Sequence, residues 1–292
     1  MRHVWKKCYL IGIAALEGCT GGVLDPKGPI ALGERQILFN STGIMLAIVV
    51  PTVIATLGVA FWFRASNERA RYRPNFEYSG RVEMLVWSIP IMTVLLVGAV
   101  AWLGAYELDP PRPIGSDTKP LRVQVVSLDW KWLFIYPEQG VASVNRLTIP
   151  VGTPVSLQLT SAGVMNSFFV PQLAGQIYTM AGMVTRLNLQ ADHAGKYRGM
   201  SANFSGKGFS DMHFLVDAIP PESFERWVSS TRGSGPMLDA STYAALAKPS
   251  VAVAPFTYRA IAADLFLRIL DTPSQGADER SASYPVCVRA ER

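Results

Sequence analysis

Two long apolar runs, residues 37–63 and 82–104, constrain this chain more than any other feature. Each supplies the ~20 residues that a helix needs to cross ~30 Å of hydrocarbon. A lipid-facing span must satisfy its backbone hydrogen bonds internally, so a run of this kind is expected to be helical. The first run is broken only by Asn40, small residues and Pro51, and the lost amide of Pro51 predicts a kink there. Residues 64–81 carry Arg64, Arg69, Arg71, Arg73 and Arg81 against Glu68 and Glu77. An excess of arginine in so short a loop places it on the cytoplasmic side, with both flanks of the hairpin on the outer face. Trp62, Trp87 and Trp102 read as interfacial or packing aromatics. The chain has 49% hydrophobic and 17% charged residues, as expected if part of it lies in a membrane.

The segments around this hairpin divide further. Residues 1–19 read as a signal peptide: Arg2, Lys6 and Lys7 precede an apolar stretch, residues 8–16, too short to span a bilayer. Leu16-Glu17-Gly18-Cys19 has the form of a lipoprotein cleavage box, which makes Cys19 the expected lipidation site. Residues 20–36 then form an outer N-terminal segment. From 105 to 220 the pattern changes to short β-rich runs at 121–126, 132–136, 146–149, 155–160, 167–170, 185–189 and 213–216. Gly, Pro and Asn punctuate them about every ten residues, which predicts an antiparallel sandwich or barrel. Cupredoxin-like and immunoglobulin-like domains both satisfy that periodicity. Residues 221–271 form an extension with helical stretches at 223–228, 242–247 and 260–270, and 272–292 has the composition of a disordered tail. Cys8, Cys19 and Cys287 all lie outside the β-rich region, so no disulfide or thiolate site is expected in it. The net charge of +5 is not gathered into a basic stripe with interleaved aromatics, which excludes nucleic acid as a partner.

Within residues 197–212, Ser201 and Ser205 are spaced by four, Phe209 follows by four and Met212 by three. With Cys at 201 and 205 and His at 209, this would be the loop that holds the dinuclear copper centre of heme–copper oxidase subunit II. Other stretches carry the same likeness in order. They are Leu24-Asp25-Pro26-Lys27-Gly28, Arg64-Ala65-Ser66-Asn67, Val82-Glu83 with Val86-Trp87 and Pro90, and Asp129-Trp130-Lys131-Trp132 running on to Gly140. Val164-Met165-Asn166-Ser167-Phe168-Phe169 and Tyr178-Thr179-Met180-Ala181-Gly182-Met183 continue it. Residues 20–270 thus resemble subunit II of the heme–copper terminal oxidases. Trp227, Leu238, Pro249-Ser250, Phe256 and Asp264-Leu265-Phe266 resemble the extension of its bo-type ubiquinol oxidase branch.

The resemblance implies a membrane α plus all-β chain: a two-helix transmembrane hairpin, a cupredoxin-like Greek-key sandwich and a short helical C-terminal extension. It also identifies what is missing. Ser201 and Ser205 stand at the bridging thiolates, Asn203 at the carbonyl donor, and Asn166 and Phe209 at the two imidazoles; only Met212 is kept. Bridging copper needs soft, deprotonated sulfur, and a serine hydroxyl is hard and neutral. No metal or other cofactor is therefore expected in this chain. His193 and His213 read as ordinary packed or surface residues, Ser201 and Ser205 as structural serines without a catalytic partner, and Met180, Met183, Met200 and Met212 as core filling. The Trp130–Tyr136 stretch is assigned to core and interface packing.

Electron supply changes accordingly. Residues 105–220 hold eight acidic and nine basic side chains, so there is no acidic face for a basic cytochrome c. The resemblance implies membrane quinol as donor, heme and copper in a partner catalytic subunit I, and further small membrane subunits. It also implies a bacterial inner-membrane chain with its N-terminus and C-terminal domain in the periplasm. Glu83, in the first turn of the second apolar run, is implied to lie at the mouth of a proton-uptake pathway. Two other readings compete with this one: a copper-bearing cytochrome c oxidase subunit II, and a membrane lipoprotein whose relic domain is a binding module.

Overall fold

A computed structural model describes residues 22–71, 75–116 and 118–271. The signal peptide, Cys8, Cys19, Arg73, Cys287 and the tail lie outside the described residues. The chain forms two compact units, one of residues 33–109 and one that joins residues 22–32 to 110–271.

The first unit is the hairpin. Helix α1 spans Pro29–Trp62 and helix α2 spans Gly80–Glu107. Both are long and apolar enough to cross a membrane. Helix α1 starts at Pro29, well before the apolar run at 37. Proline is well placed in a first helical turn, where its missing amide has no helical partner to lose. The helix continues unbroken through Pro51, and α2 through Pro90. The two helices approach at Gly33, which faces the Leu108 side chain, and at Gly104, where a methyl group would overlap Ile37. Elsewhere their apolar side chains are largely exposed and available to lipid or to other helices.

The second unit is a sandwich. Its strands are β1 (Leu121–Leu128), β2 (Lys131–Tyr136), β3 (Val141–Val144), β4 (Arg146–Pro150), β5 (Val155–Ser161), β6 (Asn166–Val170), β7 (Ala174–Thr179), β8 (Thr185–Leu189), β9 (Gly195–Ser201) and β10 (His213–Ile219). Seven were legible as β-rich runs. β3 was missed because four short residues give no alternation, β7 and β9 because glycine and polar residues dilute them. After β10 come α3 (Pro221–Arg232), β11 (Met237–Leu238), α4 (Ala240–Ala247), β12 (Phe256–Tyr258), β13 (Ala260–Ile261) and α5 (Leu265–Asp271). The expected helix over 260–270 is thus shorter: Ala260 and Ile261 pair in parallel with Met237 and Leu238 instead.

One sheet has the order β12-β3-β2-β1-β5-β8 and the other β4-β10-β9-β6-β7. Parallel pairing of β1 with β5 and of β4 with β10, among otherwise antiparallel neighbours, is the Greek-key crossing of a cupredoxin-like domain. Between the sheets Trp132, Phe134, Phe168 and Phe214 pack together, with Phe168 and Phe214 stacked at 4.9 Å. Gly199 lies under the Phe214 ring, and a methyl group there would overlap it. Tyr136 bridges the sheets: its hydroxyl donates to the Thr148 carbonyl at 3.0 Å and accepts from the Thr148 amide at 2.8 Å. Burial pushes that phenol well above its ordinary range.

β2 is buried along its whole length because the extension covers the sheet's outer face. Leu133 and Ile135 pack there with Leu238, Tyr258, Phe266 and Ile269. Lys131 is buried at the same face, and its ammonium donates to the Lys248 carbonyl at 2.7 Å and the Ser250 hydroxyl at 2.6 Å. Desolvation pulls its pKa down, opposed in part by Asp129. Asn145 donates to the Val253 carbonyl at 2.8 Å, fixing the same segment.

The unit also holds the chain on either side of the hairpin. The Lys27 amide donates to the Gln172 carbonyl at 2.7 Å, Asp192 donates to the Lys27 carbonyl at 2.8 Å, and Gly28 lies against Gln190 with no room for a side chain. Asn188 donates to the carbonyls of Pro111 and Arg112 at 2.9 and 3.0 Å.

Three outcomes follow from these contacts. Tyr136→Phe leaves both Thr148 backbone groups without their partner and is expected to cost about 1–3 kcal/mol, read as a lower midpoint in thermal unfolding of the full chain in detergent. Lys131→Met is expected to raise amide exchange at residues 248–253 while the strands of the core stay protected. Asp239 caps α4 through the Thr242 amide at 2.8 Å, which holds its carboxyl down at about 2 against 3.8. Its folded value lies below its unfolded one, so the contribution is full above pH 3.8 and is lost as pH falls through about 2. Exchange at α4 should rise over that window in the natural chain and be insensitive to it in Asp239→Asn.

Candidate functional site

The positions of the expected copper loop do come together. β9 ends at Ser201, β6 begins at Asn166, and the chain between β9 and β10 folds over this end of the sandwich. The Ser201 amide donates to the Met212 carbonyl at 3.0 Å and Ala202 to the Ser167 carbonyl at 2.9 Å, which closes the loop against both strands. A one-turn 3-10 helix, Phe209–Asp211, returns the chain to β10.

Inside this frame the side chains bond to one another. The Ser201 hydroxyl is buried, 3.2 Å from the Asn166 side-chain oxygen and 3.3 Å from the Asn203 carbonyl. The Asn166 amide donates to the Val164 carbonyl at 3.1 Å, and the Asn203 amide to the Met165 carbonyl at 3.1 Å. Ser205 donates to the Met212 sulfur at 3.7 Å. Phe209 turns to Phe204, with ring centroids 5.5 Å apart. Two hydroxyls, two carboxamides and a thioether, each engaged in these contacts, are a poor donor set for copper, which favours thiolate and imidazole. The residues present do not fit the dinuclear centre, and no redox step is assigned to them.

Trp130 closes the loop from the other sheet. It takes a left-handed conformation, φ 62°, uncommon for a bulky side chain. The half-buried indole donates to the Ser205 carbonyl at 3.1 Å, and Gly208 lies directly under its ring. Only a glycine fits at that distance. Sequence reasoning had grouped Trp130 with Trp132, Phe134 and Tyr136 as packing, and those three are fully buried. The role of Trp130 as the cover of the loop was not legible, because nothing local links it to residues 205–208.

The methionines correct one expectation. Met212 is buried, but Met180 and Met200 are only partly so, and Met183 is 53% exposed. Met180, Met183 and Met200 do not fill the core, whereas Met212 does. Met183 is instead one of several exposed apolar residues, with Val164, Met165, Val184 and Phe204. His193 and His213 are both exposed, and among the described residues no group of three or more His, Cys, Asp or Glu is placed to hold a metal.

Glu83 sits elsewhere, in the first turn of α2, where its amide donates to the Ser79 carbonyl at 2.9 Å. Its carboxylate accepts a hydrogen bond from the Trp87 indole at 3.2 Å. A carboxylate in a first helical turn is favoured by the helix dipole. Sequence reasoning singled out Glu83 but not its pairing with Trp87, although the spacing of four was there to be read.

A family model described as the periplasmic domain of cytochrome c oxidase subunit II matches residues 138–219. Cytochrome bo(3) ubiquinol oxidase subunit 2 of Pseudomonas aeruginosa is 43% identical over 269 residues, which are 92% of this chain and 81% of that one. The protein of the same description from Pseudomonas putida is 45% identical over 89% of this chain and 83% of its own. Ubiquinol oxidase subunit 2 of Acetobacter aceti is 47% identical over 80% of this chain and 77% of its own. Identity of this order along most of both chains, helices and sandwich included, means that the chain belongs to the subunit 2 family of bo-type ubiquinol oxidases.

Proposed function

We propose that this chain is the non-catalytic second subunit of a proton-pumping ubiquinol oxidase. Membrane quinol delivers electrons directly to a partner catalytic subunit that carries heme and copper. The observation that carries this reading is the loop of residues 201–212. It keeps the frame of a copper site and ties its polar side chains to one another, so the outer domain has no relay with which to take electrons from a soluble cytochrome.

The arginines of the short loop between the helices support an orientation with that loop in the cytoplasm and the sandwich in the periplasm. Glu83 then lies near the cytoplasmic face, and its proposed role is at the entrance of proton uptake into the catalytic subunit. Ionisable side chains within membrane spans are costly and often mark ion or proton pathways. Cys19, three residues ahead of the described chain, is proposed as the lipidated N-terminus.

The exposed apolar side chains around the loop support a role in assembly. Asn203 links the loop carrying Phe204 to the one carrying Val164 and Met165, and Ser161 links the latter to Met180 and the turn before Met183. Apolar side chains gathered at one end of a domain call for cover by another protein. The outer domain is proposed to stand on the catalytic subunit through this end.

The test is to purify the complex. It should oxidise ubiquinol and not reduced cytochrome c, with no copper assigned to this chain; two copper atoms in the outer domain would overturn the reading. Glu83→Ala should slow oxygen consumption and pumping in an assembled complex, and unchanged rates would remove Glu83 from the proton path. Phe204→Asp should lower the yield of assembled complex without unfolding the sandwich.

A further inference from the structure

The indole of Trp87 holds the carboxylate of Glu83, and we propose that Trp87 is a positioning residue for proton uptake. The inference rests on the role proposed above for Glu83.

The geometry is local to one helix. Glu83 and Trp87 are four apart in α2, so they share a face one turn apart. Long helical side chains lean toward the N-terminus, which brings the Trp87 ring over the turn that carries Glu83. Nε1 of Trp87 lies 3.2 Å from Oε2 of Glu83. Trp87 is 66% exposed, so packing within this chain does not explain the residue.

The chemistry suits a proton-loading group. Indole nitrogen donates one hydrogen bond and accepts none. It fixes one carboxylate oxygen without competing for the proton and leaves the other oxygen free to load it. Glutamate has three side-chain torsions, and a single charge-assisted hydrogen bond limits where its carboxylate can stand. Serine or lysine at 87 would also donate, but the first is too short to reach the next turn and the second would bring a charge of its own.

An alternative use for Trp87 is as an aromatic anchor at the membrane interface. A set of variants in the whole complex, with turnover expressed per heme, separates the two. Trp87→Phe keeps the aromatic ring and removes the N–H; kcat is expected to fall about three- to tenfold, with the KM for ubiquinol unchanged. Trp87→Leu should match it. In a Glu83→Ala background Trp87→Phe should cause no further loss, because the group it positions is gone. Trp87→His carries Nε2 two bonds from Cγ, as Nε1 is in tryptophan, and should restore most of the rate at pH 8, where the ring is neutral. A loss confined to Trp87→Leu, or an equal loss from Trp87→Phe with and without Glu83, would assign Trp87 to anchoring and overturn the proposal. If Glu83→Ala itself left turnover unchanged, both the role of Glu83 and this inference would fall; if it slowed turnover while Trp87→Phe did not, only the inference would.

Discussion

Burial of β2 on both faces is the constraint on which the outer domain depends. Alternate side chains of a strand point to opposite sides of its sheet, so a strand without polar alternation needs cover on both. Lys131 to Tyr136 has this character. Trp132, Phe134 and Tyr136 enter the space between the sheets, while Leu133 and Ile135 face the extension. The sandwich alone would leave the second set, and Lys131 with it, in water. The extension is therefore part of the fold rather than an appendage. The buried ammonium of Lys131 adds direction, since it needs acceptors and finds its two shortest in residues 248–250.

The same strand also reaches the relic loop. Trp130 immediately precedes it, in a strained backbone conformation, and its ring covers Gly208 while its N–H holds the Ser205 carbonyl. A loop shaped by metal bonds would lose its shape when the ligands are lost unless other contacts replaced them. Here Ser201, Asn166 and Asn203 bond to each other, Ser205 bonds to Met212, and the indole closes the top. Each is a weak interaction, worth about 1 kcal/mol net. Together they keep the loop folded as a surface.

The parts of this structure that were legible in the sequence were those written in local patterns. The two helices follow from long apolar runs, and strands such as 155–160 from apolar–polar alternation. The loop positions were legible because motif spacing fixes them in order. What was hidden depends on contacts between distant residues. The start of α1 at Pro29 is set partly by Gly28 and Ile30 packing on the sandwich, beyond the reach of hydropathy. β9 carries Gly195 and Gly199, poor strand formers, yet Gly199 is required because Phe214 from the next strand occupies its side-chain space. Met180, Met183 and Met200 misled because methionine suits a core, yet its flexible side chain suits a partly exposed surface equally.

Chemistry and shape have separated along this chain. The outer domain carries the more elaborate architecture and, on the reading proposed here, no redox group. The residue proposed to have a chemical role, Glu83, lies in the first turn of α2. Glu83 is about 36 Å along α2 from its Glu107 end. On the roles proposed above, the sandwich would influence turnover through assembly and Glu83 through its own proton. A defect at Phe204 should consequently reduce the number of active complexes, and a defect at Glu83 should reduce the rate of each.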